Sequence, residues 1–168
     1  MALRQLHNIA PVYDGNSRVL ILGSFPSVMS RRSAFFYGHP RNRFWQVAAS
    51  LTGWSGIPRT VEEKKEMLLS GGIAVWDVIA SCLICGSSDS SIREVVPNDI
   101  TPVLRSADIR IIACNGGKSY ELYNKYLYGI TGREAVKLPS TSPANAAFSL
   151  ERLINEWSRL LSGALRSG

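Results

Sequence analysis

Val19-Leu-Ile-Leu-Gly-Ser-Phe-Pro-Ser27 is the stretch on which the fold turns. Residues 19–22 are apolar without alternation, which reads as a strand buried on both faces, and Gly23 with Pro26 ends it in a breaker-rich turn. Working outward, residues 73–78, 110–114 and 135–138 read as further short strands. Between them lie helical segments at 44–51, 100–106 and 118–127 and an amphipathic helix at 150–161, whose Leu150, Leu153, Ile154, Trp157, Leu160 and Leu161 share one face. Thr60-Val-Glu-Glu63 is a capping box for a helix running through Leu69 to the stop at Gly71-Gly72. Strands alternating with helices predict an α/β fold: a three-layer α/β/α arrangement around a central, mostly parallel four-stranded sheet. Ligands of such folds bind beyond the carboxyl ends of the strands. Three of those ends are unusual: Gly23-Ser-Phe-Pro-Ser27, Asp77, and Pro139-Ser-Thr-Ser-Pro-Ala-Asn145.

A chain of 168 residues with 45% hydrophobic content predicts one domain over residues 1–168 and excludes long disorder. Its apolar runs are far shorter than the roughly 20 residues of a membrane span, and residues 1–7 lack a secretory h-region. The expected setting is soluble and cytoplasmic, with no membrane partner and a monomer as the acting unit. Cys82, Cys85 and Cys114 are too few for a disulfide framework or a closed four-thiolate site, so structural roles and no metal are expected. Cys114-Asn-Gly-Gly-Lys-Ser119 lacks the first glycine of a phosphate loop and reads as a strand-to-helix turn. With no dinucleotide fingerprint or common hydrolase motif either, no cofactor is expected.

The net charge of +6 is localised: no acidic residue lies between Asp14 and Glu62, while Arg18, Arg31, Arg32, Arg41, Arg43 and Arg59 do, and the rest of the chain balances. A polyanion is the natural partner, though arginines so spaced also fit a solvated surface. Arg152, Arg159 and Arg166, near Glu151 and Glu156, read as an ordinary solvated face. Ser33-Ala-Phe-Phe-Tyr-Gly-His-Pro-Arg-Asn-Arg-Phe-Trp45 mixes aromatics with arginines, a combination that suits an unpaired nucleotide: rings stack on bases and guanidinium groups hold phosphates. Loop packing would also account for the aromatics, and backbone bonding for His39.

Gly23-Ser-Phe-Pro-Ser27, Tyr37-Gly-His-Pro-Arg-Asn-Arg-Phe-Trp45 and Pro139-Ser-Thr-Ser-Pro-Ala-Asn145 together resemble the motifs of the uracil-DNA glycosylase superfamily, from about Val19 to Trp157. The branch most similar is that of the hypoxanthine-DNA (deoxyinosine) glycosylases, related to the mismatch-specific uracil/thymine enzymes. The resemblance implies a monofunctional glycosylase acting on DNA that contains a damaged base: the nucleotide is extruded, read and hydrolysed to an abasic site. It implies that Tyr37 stacks on the base, that Gly38 leaves room for it, and that Gly23, Ser24 and Phe25 line the floor. Asp77 would read the base edge, where related enzymes carry asparagine; a structural turn residue is the other reading. Arg31, Arg41, Arg43, Ser140, Ser142 and Asn145 would contact DNA.

Phe25 departs from the pattern, since the mismatch-specific branch has there the asparagine that positions water. Asn42 is the nearest polar substitute, to orient water or the leaving base. It also suits the cap of a helix starting at Arg43, and the two roles are compatible. No lysine lies in the three motifs, so no imine intermediate or strand cleavage is expected. A uracil/thymine mismatch glycosylase, a non-catalytic DNA-binding module and an enzyme on free nucleosides remain alternatives.

Overall fold

Val19, Leu20, Ile21 and Leu22 are all fully buried, and their side chains divide strictly by parity. Val19 and Ile21 join one hydrophobic cluster, Leu20 and Leu22 the other, as the two-residue period of a strand requires. In the computed structural model, which describes residues 3–165, this strand is β2 (Val19–Gly23). It lies between β3 (Ile73–Asp77) and β6 (Ile111–Asn115), and β7 (Ala135–Leu138) pairs with β6; all pairings are parallel, in the order β3-β2-β6-β7.

Helices α2 (Phe44–Thr52), α3 (Val61–Ser70) and α7 (Leu150–Leu165) cover one face, through Phe44, Met67, Leu153 and Trp157. Helices α4 (Thr101–Ser106) and α5 (Gly117–Tyr126) supply Val103, Leu122 and Tyr123 to the other. The three-layer expectation holds, with β7 as read, the ends of the other three strands shifted by one residue and α7 a turn longer. Thr60 caps α3 by accepting the Glu63 N–H at 3.1 Å. Gly116, at φ +102°, is the turn residue between β6 and α5. Arg166 lies outside the described residues.

No local sequence signal marks 79–99 or 28–33 as regular structure. The chain runs from β3 through Val78 into β4 (Ile79–Ile84), which pairs antiparallel with β1 (Leu3–Leu6) and β5 (Arg93–Pro97) in a second sheet, β1-β4-β5. Register shifts within the β4–β5 pair break the alternation that betrays a strand, and β1 meets its partner only through the fold. Residues 28–33 form the short helix α1 (Val28–Ser33), capped by the Ser27 hydroxyl. A final helical turn, α6 (Tyr128–Thr131), follows α5. Among the described residues no helix is long and apolar enough to cross a membrane, and no His/Cys/Asp/Glu cluster could hold a metal. Cys82 and Cys114 are buried; burial pushes the Cys114 thiol up to about 12.

Candidate active site

Parallel pairing sets Gly23 opposite Asp77, Leu22 opposite Cys114, and Asn115 opposite Leu138, so the strands end level with one another. Beyond that row lies a cavity of about 360 Å³, within the roughly 300–1,000 Å³ typical of ligand pockets. Its walls come from the 23–27 turn, the 36–42 loop, Asp77, Asn115 and the 140–144 loop, with Ser87 and Asp89 opposite. The three predicted strand ends therefore converge.

Asn42 sits at the end of a half-buried relay. Asn115 donates through Nδ2 to Thr141 Oγ1 at 3.0 Å, and Thr141 donates its hydroxyl proton to Asn42 Oδ1 at 2.8 Å. Asn42 Oδ1 also accepts the Phe44 N–H at 2.9 Å. Both donors require the oxygen there, which fixes the amide orientation. The oxygen's two lone pairs are occupied, and Nδ2 makes no hydrogen bond among the described residues. Asn42 thus presents N–H donors to the cavity. The capping reading is corrected by one position: Arg43 is the N-cap of α2, without a side-chain bond, and Asn42 braces the Phe44 N–H from the residue before.

Tyr37 lines the cavity with its ring stacked on Phe44, centroids 4.0 Å apart. Its φ of +51° is sparsely populated for a non-glycine residue and stores about 1 kcal/mol or more of strain, as functional loops commonly do. The hydroxyl is buried without a hydrogen-bond partner. Burial, then the Asp77 charge, pushes this phenol above its ordinary range, so it stays a protonated donor. Gly23 and Asp77 form the floor: a Cβ on Gly23 would stand 2.3 Å from Asp77 Oδ1, so only glycine admits that carboxylate. Ser24 and Phe25 also line the cavity, and Phe25 lies beneath the Arg31 guanidinium at 5.4 Å.

Several expected contacts fall elsewhere. Gly38 does not line the cavity; a Cβ there would meet Ser30 and Ser33, so its smallness serves the close approach to α1. Arg31 donates to the carbonyls of Pro26 and Gly86, at 2.7 and 3.1 Å. Arg43 donates to the carbonyls of Ser142 and Asn145, both at 3.0 Å, and of Phe148, clamping the last loop. Asn145 closes the same loop by donating to the Ser140 carbonyl. These three side chains shape the site from behind because loop carbonyls compete successfully for their donors. Ser140 and Ser142 do line the cavity, each hydroxyl oxygen accepting the N–H two residues on and keeping its proton to donate. Arg41 is exposed, its guanidinium free of partners among the described residues.

His7, Thr141 and Asn115 were not singled out in the sequence. Asn115 could have been, since it follows a predicted strand as Asp77 does; His7 could not, because only the fold brings it to Asp77. Its Nε2 stands 2.8 Å from Asp77 Oδ2. His39 lines the cavity and accepts the Arg41 N–H through Nδ1, as backbone bonding predicted.

Residues 10–160 match the family model described as the uracil DNA glycosylase superfamily. The chain is 37% identical over 147 residues to a hypoxanthine DNA glycosylase of Methanosarcina acetivorans, covering 87% of this chain and 91% of that one. A hypoxanthine DNA glycosylase of Methanosarcina barkeri is 34% identical over 136 residues, covering 80% and 85%. A solution NMR structure from Methanosarcina acetivorans, provisionally named a uracil DNA glycosylase, superposes with a TM-score of 0.81 at 34% identity over 98% of this chain and all of the other.

Replacing Arg43 with alanine removes donors from three loop carbonyls. The expected result is a loss of about 1–3 kcal/mol in stability, with faster amide exchange confined to residues 140–148, measured by hydrogen–deuterium exchange. Unchanged exchange there would show that the loop holds itself.

Proposed function

The chain belongs to the uracil DNA glycosylase superfamily, and on that premise we propose that it excises hypoxanthine from DNA by hydrolysis, leaving an abasic site for base excision repair. The acting unit is a single copy in the cytoplasm, without cofactor. The extruded nucleotide enters the cavity with its base against the open face of Tyr37 and its edge over Gly23 and Asp77. Ser24 and Phe25 bound the floor, while Ser140, Ser142 and Arg41 contact the backbone of the DNA.

The observation that carries this reading is the orientation of Asn42. Hydrolysis breaks the bond between C1′ and the base nitrogen; the bonding pair leaves with the base, water supplies the hydroxyl that C1′ gains, and the water's other proton ends on the departed base. Negative charge therefore grows on the base as positive charge grows on the sugar. Fixed N–H donors aimed at a developing anion are an effective form of electrostatic catalysis, because they need no reorganisation during the reaction. With Oδ1 held by Phe44 and Thr141, Asn42 is set to stabilise the leaving base and not to accept a proton from water. This narrows the role inferred from the sequence and makes Phe25 tolerable, since the first motif need not supply a water-orienting amide.

Labelled oligonucleotides carrying hypoxanthine, uracil, xanthine or a G·T mismatch, treated with protein and then alkali, test the reading. Hypoxanthine should be released fastest, in EDTA as well as in its absence, and strands should break only after alkali. No release of any base by folded protein would refute it.

Asn42→Ala should lower the single-turnover rate by about 10²-fold, and Asn42→Asp by a similar factor, since aspartate keeps the acceptor but loses the donor. A rate for either variant within threefold of wild type would remove Asn42 from catalysis.

The arginines separate by salt dependence. Arg41→Ala should reduce the slope of log affinity against log salt by about 1, as the loss of one phosphate contact does. Arg159→Ala, on α7 and paired with Glu156, should leave that slope unchanged, whereas Arg152 does not sit on an ordinary solvated face: it donates to the Ala147 carbonyl and lies over the Phe148 ring of the 139–149 loop. Equal slopes for wild type and both variants would place the DNA surface elsewhere.

A further inference from the structure

His7 and Asp77 form the most deeply buried ionisable pair in the described structure, with side chains 3% and 6% exposed and His7 Nε2 2.8 Å from Asp77 Oδ2. Phe25, Phe36 and Trp76 surround the imidazole, with ring centroids 6.1–6.2 Å away. The Ile9 N–H donates to His7 Nδ1 at 3.2 Å. A backbone N–H can only donate, so Nδ1 carries the lone pair and the ring proton sits on Nε2, directed at Oδ2. The Asp77 carbonyl is held independently by Asn98 Nδ2 at 2.9 Å. Backbone and one carboxylate oxygen are therefore both fixed. Asp77 Oδ1 accepts no hydrogen bond among the described residues and stands over Gly23 at the cavity floor.

The geometry points to His7 as a positioning residue that makes Asp77 a one-sided reader: with Oδ2 locked, Oδ1 offers the base edge an acceptor only. This rests on the glycosylase reading and supplies its selectivity. Deamination of adenine converts N1 from an acceptor into an N–H donor and the 6-amino group into a carbonyl. An acceptor fixed at that edge bonds N1–H of hypoxanthine and opposes the N1 lone pair of adenine. A base that would leave a buried acceptor facing a lone pair is rejected far more strongly than one that merely fits poorly. The same device accepts N3–H of uracil and opposes N3 of cytosine, so it separates adenine and cytosine from their deamination products whatever the size of the ring.

The histidine gives a signature that simple packing would not. In Asp77→Asn, the His7 Nε2–H still demands an oxygen, so the amide oxygen takes the Oδ2 place and the NH2 group faces the cavity. Acceptor becomes donor, and hypoxanthine release should fall by about 10²-fold. Removing the lock should undo this: in His7→Ala/Asp77→Asn the amide can turn its oxygen to the base, and release should recover by about tenfold over Asp77→Asn alone, a non-additivity expected only of coupled residues. His7→Gln/Asp77→Asn, in which glutamine can present either end of its amide, should recover similarly and serves if the alanine variant melts below assay temperature. Single-turnover release of hypoxanthine by wild type, His7→Ala, Asp77→Asn and the two double variants decides the matter, with His7→Ala alone expected to bring no such gain. Release by wild type with an unchanged Asp77→Asn rate, or with both folded double variants no faster than Asp77→Asn, overturns this inference alone. No release of any base by wild type overturns the glycosylase reading and this inference together.

Discussion

Level termination of the four parallel strands is the constraint from which the site follows. Because Gly23 pairs with Asp77 and Asn115 with Leu138, each strand delivers its chain to one edge at one height, and the following segments must turn there together. Strand ends leave polar backbone groups that no neighbour in the sheet satisfies, so this edge is where side chains such as Asn98 and Asn115 find carbonyl and N–H partners. The polarity of the cavity is thus a consequence of parallel topology before it is a property of any motif.

Within that edge, rigidity comes from groups behind the surface. Asn42 is aimed by Thr141, and Thr141 by Asn115, so the orientation of one amide ties together three segments distant in the chain. The 139–149 loop is pinned at its start by the Trp157 indole, which donates to the Pro139 carbonyl at 2.9 Å, and along its length by Arg43. Packing of α7 against the sheet and placement of the loop over the cavity are therefore one event. Buried networks of this kind stiffen a site when every member is satisfied. At the floor, the buried Tyr37 hydroxyl has no partner and Asp77 Oδ1 accepts no hydrogen bond among the described residues.

The basic window shows why charge counting overestimates a binding surface. Arg31 and Arg43 serve backbone carbonyls, and Arg18 donates to the carbonyls of Gly15 and Ser17. Arg32, Arg41 and Arg59 are exposed. A guanidinium presents five donors in a plane, and that geometry suits a loop of converging carbonyls as well as it suits phosphate. Neither use alters the formal charge, so the window between Asp14 and Glu62 stays basic even where a guanidinium serves a carbonyl.

By itself the sequence determined the central sheet, the helices that cover it and the edge at which the site lies, because these rest on short-range signals: unbroken apolar runs, capping residues, and glycine or proline at strand ends. It also determined the motif set and the branch that the relatives bear out. The antiparallel sheet was invisible, since β4 departs from strict alternation and its partner β1 lies at the far end of the chain. Only the tertiary structure decided which polar residues act together. Asn42 could be read from the sequence as a cap or a catalyst, but its amide orientation depends on a hydroxyl 99 residues away. Asp77 could be placed at a strand end, but its partner His7 lies 70 residues earlier. Hydrogen bonds act over about 3 Å in space with no regard to separation along the chain, and no local pattern encodes them.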